Sequence, residues 1–287
     1  MNALSYAVHA YAWTGHWSND TLDLVDHAKE LGFDILEVPL MEIDTVDPAA
    51  IAKRAEAADI GLCTSTACST EQDIAMPDPE MRRRGIDYLK ECVTKTADMG
   101  AEVFSGVIYS AIGGKLDSMP DQSYYDRSAE SLREVAEHAA EKNVRLGIEP
   151  VNRYETYLIN SAEQAASLAD AVGLPNVGVH LDAYHMNIEE NDFYGPTKAV
   201  ADRLVHYHLS ESHRGIPGTG TVDWEQIYRA LAEADYRGVV GLESFIEVSD
   251  AMRDATCVWR VLADSSDQLL SEGLAYLKKL EREYYGG

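Results

Sequence analysis

Eight short apolar runs recur along the chain: LSYAVHA, FDILEVPL, IGLCTST, EVFSGVIY, VRLGIEPV, VGVHLDA, LVHYHLS and VVGLESF. Each is the length of one strand, and several are rich in the β-branched and aromatic residues that suit a pleated sheet. Longer amphipathic stretches lie between them and carry helix signals. Asp47 followed by Pro48 opens DPAAIAKRAEAADIG, which Gly61 closes, a pattern of N-cap, first-turn proline and terminal glycine. Asp78 and Pro79 repeat the start before EMRRRGIDYLKECVTKTADMG. Ser161 with Gln164 makes a capping box for SAEQAASLADAVG, and Asp223 with Gln226 offers a similar start for DWEQIYRALAEADYRG. Eight strands alternating with helices predict an α/β chain folded as a (β/α)8 TIM barrel, a single domain over residues 1–287 with a C-terminal helix. A doubly wound sheet would alternate in the same way. Its Gly-x-Gly-x-x-Gly turn after the first strand is absent.

In such a barrel the chemistry sits at the C-terminal ends of the strands. There the fifth run ends in GIEP with Glu149, the sixth in HLDA with Asp182, the seventh in YHLS with His208 and the eighth in LESF with Glu243. Four consecutive strands thus offer metal-type ligands at equivalent heights. Three carboxylates converging without a cation would repel one another by several kcal/mol, and a divalent metal removes that cost. Three oxygen ligands with one imidazole favour Mn²⁺, Co²⁺ or Mg²⁺ over a thiolate-bound zinc. Arg153, Glu155, His185 and Arg214 lie just beyond these strand ends, where substrate contact is expected.

The segment HYHLSESHRGIPGTG fits this frame. Side chains two apart on a strand share a face, so His206 and His208 point together, as do His180 and Asp182. His206 and His180 are expected one layer deeper, hydrogen-bonded in the core or behind a ligand. Glu37 is read as a structural ion pair. Near the first strand, HAYAWTGHW brings His9, Trp13 and Trp17 to the rim, where aromatic rings suit the C–H faces of a sugar.

Composition narrows the partners. The net charge of -25 and a pI near 4.6 repel phosphate backbones, so no nucleic-acid partner is expected and phosphorylated substrates are disfavoured. The acidity suits a solvated surface, and adaptation to high salt is the sharper alternative. With 46% hydrophobic residues and a mean hydropathy of -0.26, the chain can bury a full core, and no apolar run is long enough to span a membrane. A cytoplasmic protein is expected. Cys63, Cys68, Cys92 and Cys257 form no CxxC pair and read as mostly buried thiols.

Taken together, IEPVNRYETY, HLDAYHMNIEE, HLSESHRGIPGTG and GLESF resemble the ketose 3-epimerases, the D-tagatose and D-allulose (psicose) 3-epimerases of the sugar isomerase/epimerase barrels. The resemblance spans almost the whole chain. It implies a Mn²⁺-type metal on Glu149, Asp182, His208 and Glu243, with Co²⁺ or Mg²⁺ as substitutes. It also implies a sugar held by Glu155, His185 and Arg214 and proton exchange by Glu149 and Glu243; His9 and Trp17 are expected as further sugar contacts from their place at the rim. A free ketohexose or ketopentose is the expected substrate, and a homo-oligomer, dimer or tetramer, the expected assembly. Three positions depart from the pattern. Ala183 stands where threonine is frequent, Ala111 near where some members carry an aromatic, and His9 where some carry tyrosine. An aldose–ketose isomerase is the close competitor. A DNA-repair endonuclease of related fold would need a basic groove, and a non-catalytic sugar-binding barrel would have lost a ligand or an acid/base residue.

Overall fold

The computed structural model describes residues 3–246, 253–254 and 256–286. The strands are β1 (Ser5–His9), β2 (Ile35–Pro39), β3 (Gly61–Cys68), β4 (Val103–Ala111), β5 (Arg145–Ile148), β6 (Val177–Asp182), β7 (Leu204–His208) and β8 (Val239–Leu242). Each pairs in parallel with the next, and β8 returns to β1 through Ser5 opposite Val239, closing the barrel. Each falls on one of the eight apolar runs. Such strands are apolar on both faces because one face fills the barrel and the other meets helices.

The helices are α1 (Leu24–Glu30), α2 (Pro48–Ala58), α3 (Pro79–Asp98), α4 (Gln122–Glu141), α5 (Ala162–Val172), α6 (Ala183–Glu189), α7 (Tyr194–Val200), α8 (Trp224–Glu233) and α9 (Ser266–Tyr285). The predicted caps form. Asp47 accepts from the N–H groups of Ala49 and Ala50, Asp78 from Glu80, Ser161 from Gln164, and Asp223 from Gln226. The end of α2 differs from the expected glycine stop. Asp59 takes the left-handed conformation at φ 52°, and Gly61 already starts β3. Asp tolerates that conformation because its short side chain can bond locally.

α9 packs against α8 and β8 and buries Leu269, Leu270, Leu274, Leu277 and Leu280. At about 1.5–3 kcal/mol for each fully buried leucine, this helix is a substantial part of the outer wall. Cys63, Cys68 and Cys92 are buried, whereas Cys257 is exposed. On β4, Gly106 has φ 120°, and a Cβ there would lie 2.0 Å from the Thr66 carbonyl oxygen. The close approach of β3 and β4 thus requires glycine, and the Gly106 carbonyl then accepts from the Glu149 N–H at 3.1 Å.

Candidate active site

Each of the four strand ends delivers its side chain toward the barrel axis. Glu149 directly follows β5, and its backbone is pinned to Gly106. Asp182 closes β6 and also caps α6: its Oδ1 accepts from the Tyr184 N–H at 2.8 Å, which leaves Oδ2 facing the axis. His208 closes β7, and Glu243 follows β8 at once. From His208 Nδ1 the distances are 3.5 Å to Glu243 Oε2, 3.8 Å to Glu149 Oε1 and 4.0 Å to Asp182 Oδ2. Asp182, His208 and Glu149 are buried.

His208 is aimed from below. Its Nε2–H donates to Glu37 Oε2 at 2.9 Å, and His206 Nε2 lies 2.8 Å from the same oxygen. Glu37 is fully buried, which by itself would raise its pKa. The surrounding His208, His206 and His9 outweigh that and hold its carboxyl well below the usual range. The expected ion pair of Glu37 is therefore also the orienting partner of His208. His180 differs from expectation: both its ring nitrogens lack a hydrogen-bond partner, and its ring packs edge-on to His208 at 4.2 Å.

With Nε2 engaged, the buried Nδ1 of His208 makes no hydrogen bond and faces three carboxylates. Glu149, Asp182 and His208 present ligand atoms within 4.8 Å of one another. A cation ligated at about 2.1 Å needs donors about 3 to 3.5 Å apart, a small contraction of this arrangement. The donor set, oxygen-rich with one imidazole and no thiolate, fits Mn²⁺, Co²⁺ or Mg²⁺ chemistry. A second group, Glu37, Cys63 and His206, also converges. There Glu37 and His206 already bond to each other, and burial pushes the Cys63 thiol well up, which opposes thiolate formation.

Arg214 lies across the top of the cluster. Its Nη1 donates to Asp182 Oδ2 at 2.7 Å and to Ser210 Oγ at 2.8 Å, and lies 2.7 Å from Glu243 Oε2. Its guanidinium stacks on Tyr184, 4.1 Å from the ring centroid. Burial and the neighbouring Glu243 and Asp182 push Glu149 well above the usual carboxylate range. Burial acts on Glu243 in the same sense, but Arg214 and His208 outweigh it and hold its carboxyl low. The two carboxylates therefore sit in opposite electrostatic settings.

His185 belongs to α6, not to a loop, so it lies one helical turn from Asp182, with Nε2 3.7 Å from Asp182 Oδ2 and 3.9 Å from Glu149 Oε1. The Asn152 N–H donates to His185 Nδ1 at 3.2 Å, which makes Nδ1 the acceptor and puts the proton on Nε2; that nitrogen faces the site 3.4 Å from Arg214 Nη2, a long contact between two donors. The Asn152 side-chain amide also donates to Glu155 Oε1 at 2.7 Å. Asn152 thus holds both His185 and Glu155, a role absent from the sequence reading. Its signal was its place three residues before Glu155. Arg153 turns away and pairs with Glu189 at the surface.

A cavity of about 290 Å³ opens above these groups. Glu149, Glu155, His185, His208, Arg214 and Glu243 all line it, as does His9. His9 Nδ1 accepts from the Tyr11 N–H, so its Nε2–H is left to bond Ser65 Oγ at 3.0 Å. Trp17 is buried at 2% exposure and is not among the lining residues; Trp13 donates to Asp267 beside His27 and also lies outside the cavity. Besides the histidines, the rings that line it are Tyr11, Tyr184 and Phe245. Aromatic residues are so common near strand ends that sequence position alone did not separate these from the tryptophans. Ala111 is not among the lining residues, whereas Val107 and Ile112 are.

The model of the xylose isomerase-like TIM barrel family matches residues 25–280. The chain is 34% identical to the ketose 3-epimerase of Arthrobacter globiformis, over 94% of each chain. It is 33% identical to the L-ribulose 3-epimerase of Methylomonas sp., over 96% of this chain and 97% of that one. The crystal structure of a Methylomonas D-allulose 3-epimerase in complex with D-allulose superposes with a TM-score of 0.92 at 33% identity, covering 97% of this chain and 98% of the other. The chain belongs to the xylose isomerase-like TIM barrel family, among its ketose 3-epimerases. Of the departures from that family's pattern, Ala183 is buried at the first turn of α6 beside Asp182, and His9 lines the cavity in a fixed tautomer.

Proposed function

We propose that this chain is a divalent-metal-dependent ketose 3-epimerase acting on free ketoses of the D-fructose/D-allulose, D-tagatose/D-sorbose or L-ribulose/L-xylulose type. The observation that carries the reading is the buried Nδ1 of His208, which makes no hydrogen bond and faces Glu149, Asp182 and Glu243 at 3.5–4.0 Å. Glu149, Asp182, His208 and Glu243 would hold the cation; the donor set suits Mn²⁺, Co²⁺ or Mg²⁺, and the resemblance to the ketose 3-epimerases favours Mn²⁺. When bound, the cation supplies positive charge next to the sugar oxygens and so acidifies the C3–H.

The rest of the chemistry belongs to side chains. Glu149 comes from β5 and Glu243 from β8, with β6 and β7 between them, so the pair can address a sugar from two sides. One takes the C3 proton, giving an enediolate, and the other returns a proton to the opposite face, inverting C3. Their roles exchange in the reverse direction. The Nε2–H of His185 and the guanidinium of Arg214 are donors placed to steady the developing oxyanion. Glu155, held by Asn152, is an acceptor for a sugar hydroxyl. Tyr11, Phe245, Val107 and Ile112 supply an apolar wall for C–H faces.

Free sugars suit this cavity better than sugar phosphates. Arg214 is its one lining Lys or Arg among the described residues, and that cation is already committed to Asp182 and Glu243. In a screen with Mn²⁺ supplied, free ketohexoses and ketopentoses should be interconverted at C3, with little turnover of the corresponding phosphates. A strong preference for a phosphorylated sugar would contradict the proposal.

A further inference from the structure

The loop between β7 and α8 holds a second buried carboxylate that the proposed chemistry does not use. Glu211 is 1% exposed. Its Oε1 accepts from the backbone N–H groups of Ser212 at 2.8 Å and Val222 at 3.2 Å. Its Oε2 accepts from the Gly218 N–H at 2.8 Å and the Trp224 Nε1–H at 3.1 Å. Each oxygen therefore receives two N–H donors, and the loop is wrapped around one anion. Burial alone would raise the Glu211 pKa, but these donors outweigh it and hold the carboxyl below its usual range.

The glycines make the wrapping possible. A Cβ on Gly220 would lie 2.4 Å from Glu211 Oε1. Gly218 has φ 89°, and a Cβ there would lie 2.7 Å from the Tyr276 ring of α9. Pro217 packs against Gly273 of the same helix, where a Cβ would meet its ring at 2.8 Å. The loop is thus anchored to α9 on one side and to Glu211 inside.

Arg214 sits within this loop in a left-handed conformation, φ 60°, which is uncommon for a long side chain and persists only when the surroundings enforce it. Its N–H donates to the Glu211 carbonyl at 2.8 Å, and its own carbonyl accepts from Ser244 Oγ. The turn from Glu211 to Arg214 is what aims the guanidinium at Asp182 and Glu243.

We infer that Glu211 is a positioning residue for the reaction: its carboxylate holds the β7–α8 loop in the turn that places Arg214 over the cation-binding carboxylates. The inference rests on the proposed role of Arg214 in that site. A glutamine at 211 keeps the size of the side chain but turns one acceptor oxygen into a donor, setting it against two N–H groups. The displaced loop would carry the guanidinium with it, and a displacement of the order of 1 Å costs about 100-fold in rate.

The test is a double-mutant cycle on the metal-loaded enzyme. Glu211→Gln is expected to lower kcat/KM by about 10- to 100-fold. In an Arg214→Met background the same change should lower it by no more than about twofold, because the group it positions is gone. Trp224→Phe, which removes one of the donors to Glu211 and keeps a smaller aromatic ring in its place, should act in the same direction with a smaller effect and the same non-additivity. It decides the matter alone if Glu211→Gln does not fold. Melting temperatures are recorded in parallel, since a purely structural role would lower stability equally in both backgrounds. Full additivity of Glu211→Gln, or of Trp224→Phe, with an impaired Arg214→Met overturns the inference and leaves the site intact. Folded Glu211→Gln with wild-type kcat/KM overturns it as well. An Arg214→Met enzyme with unchanged kcat/KM overturns the role of Arg214 first, and this inference with it.

Discussion

Glu149→Gln is expected to lower kcat for C3 epimerisation by about 10²- to 10⁴-fold, the range for removing a positioned acid or base. Glu243→Gln should do the same in both directions, because each residue is base for one epimer and acid for the other. Glutamine keeps the shape and one ligand oxygen, so metal content must be measured alongside rate. The informative variant still holds its cation, exchanges C3–H of one epimer with solvent and forms no product. That pattern separates loss of a proton carrier from loss of the site. A Glu149→Gln enzyme that holds metal and turns over both epimers at the wild-type rate would remove Glu149 from the chemistry.

His208→Ala is expected to abolish tight cation binding and with it activity, while the barrel stays folded. The side chain lies on the barrel axis and can be shortened without cutting the sheet. Chelation of the wild-type protein should abolish activity and lower the melting temperature. A ligand at about 100 times its Kd contributes about 2.7 kcal/mol, which is about 4–5 °C in a domain of this size. Re-addition of Mn²⁺ should restore both. Glu37→Gln is the finer probe. Glu37 touches no sugar in this account, yet it accepts from His208 Nε2 and from His206 through one oxygen. Its replacement should weaken metal affinity by about 10- to 100-fold, as when the partner behind a ligating histidine is lost. Unchanged metal affinity in both His208→Ala and Glu37→Gln would mean that the cation binds elsewhere.

The strands were legible because burial on both faces writes each one as a continuous apolar run, and helix caps mark the returns. The residues at strand ends followed from the barrel itself: once β5 to β8 are placed, Glu149, Asp182, His208 and Glu243 must converge. What lay outside reach were contacts set by three-dimensional neighbours. Glu37 reads as one carboxylate in a strand, and only closure of the barrel brings it beneath His208. Asn152 gains its role because α6 starts directly after Asp182, which caps it, and carries His185 back over β5. Glu211 is hidden among the polar residues of a Gly/Pro loop, since its burial depends on how that loop folds over it. Trp17 illustrates the converse. Its place beyond β1 suggested the rim, but its ring is buried and Tyr11 faces the cavity instead.

Proton traffic at C3 tests the central claim most directly. A ketohexose turned over in D₂O by the Mn²⁺-loaded enzyme should yield its C3 epimer with deuterium at C3, because two carboxylates on opposite faces exchange their protons with solvent between turnovers. C1 should stay largely unlabelled, and no aldose should form. Deuterium confined to C1 or C2, with an aldose accumulating, would contradict the account and make the protein an aldose–ketose isomerase.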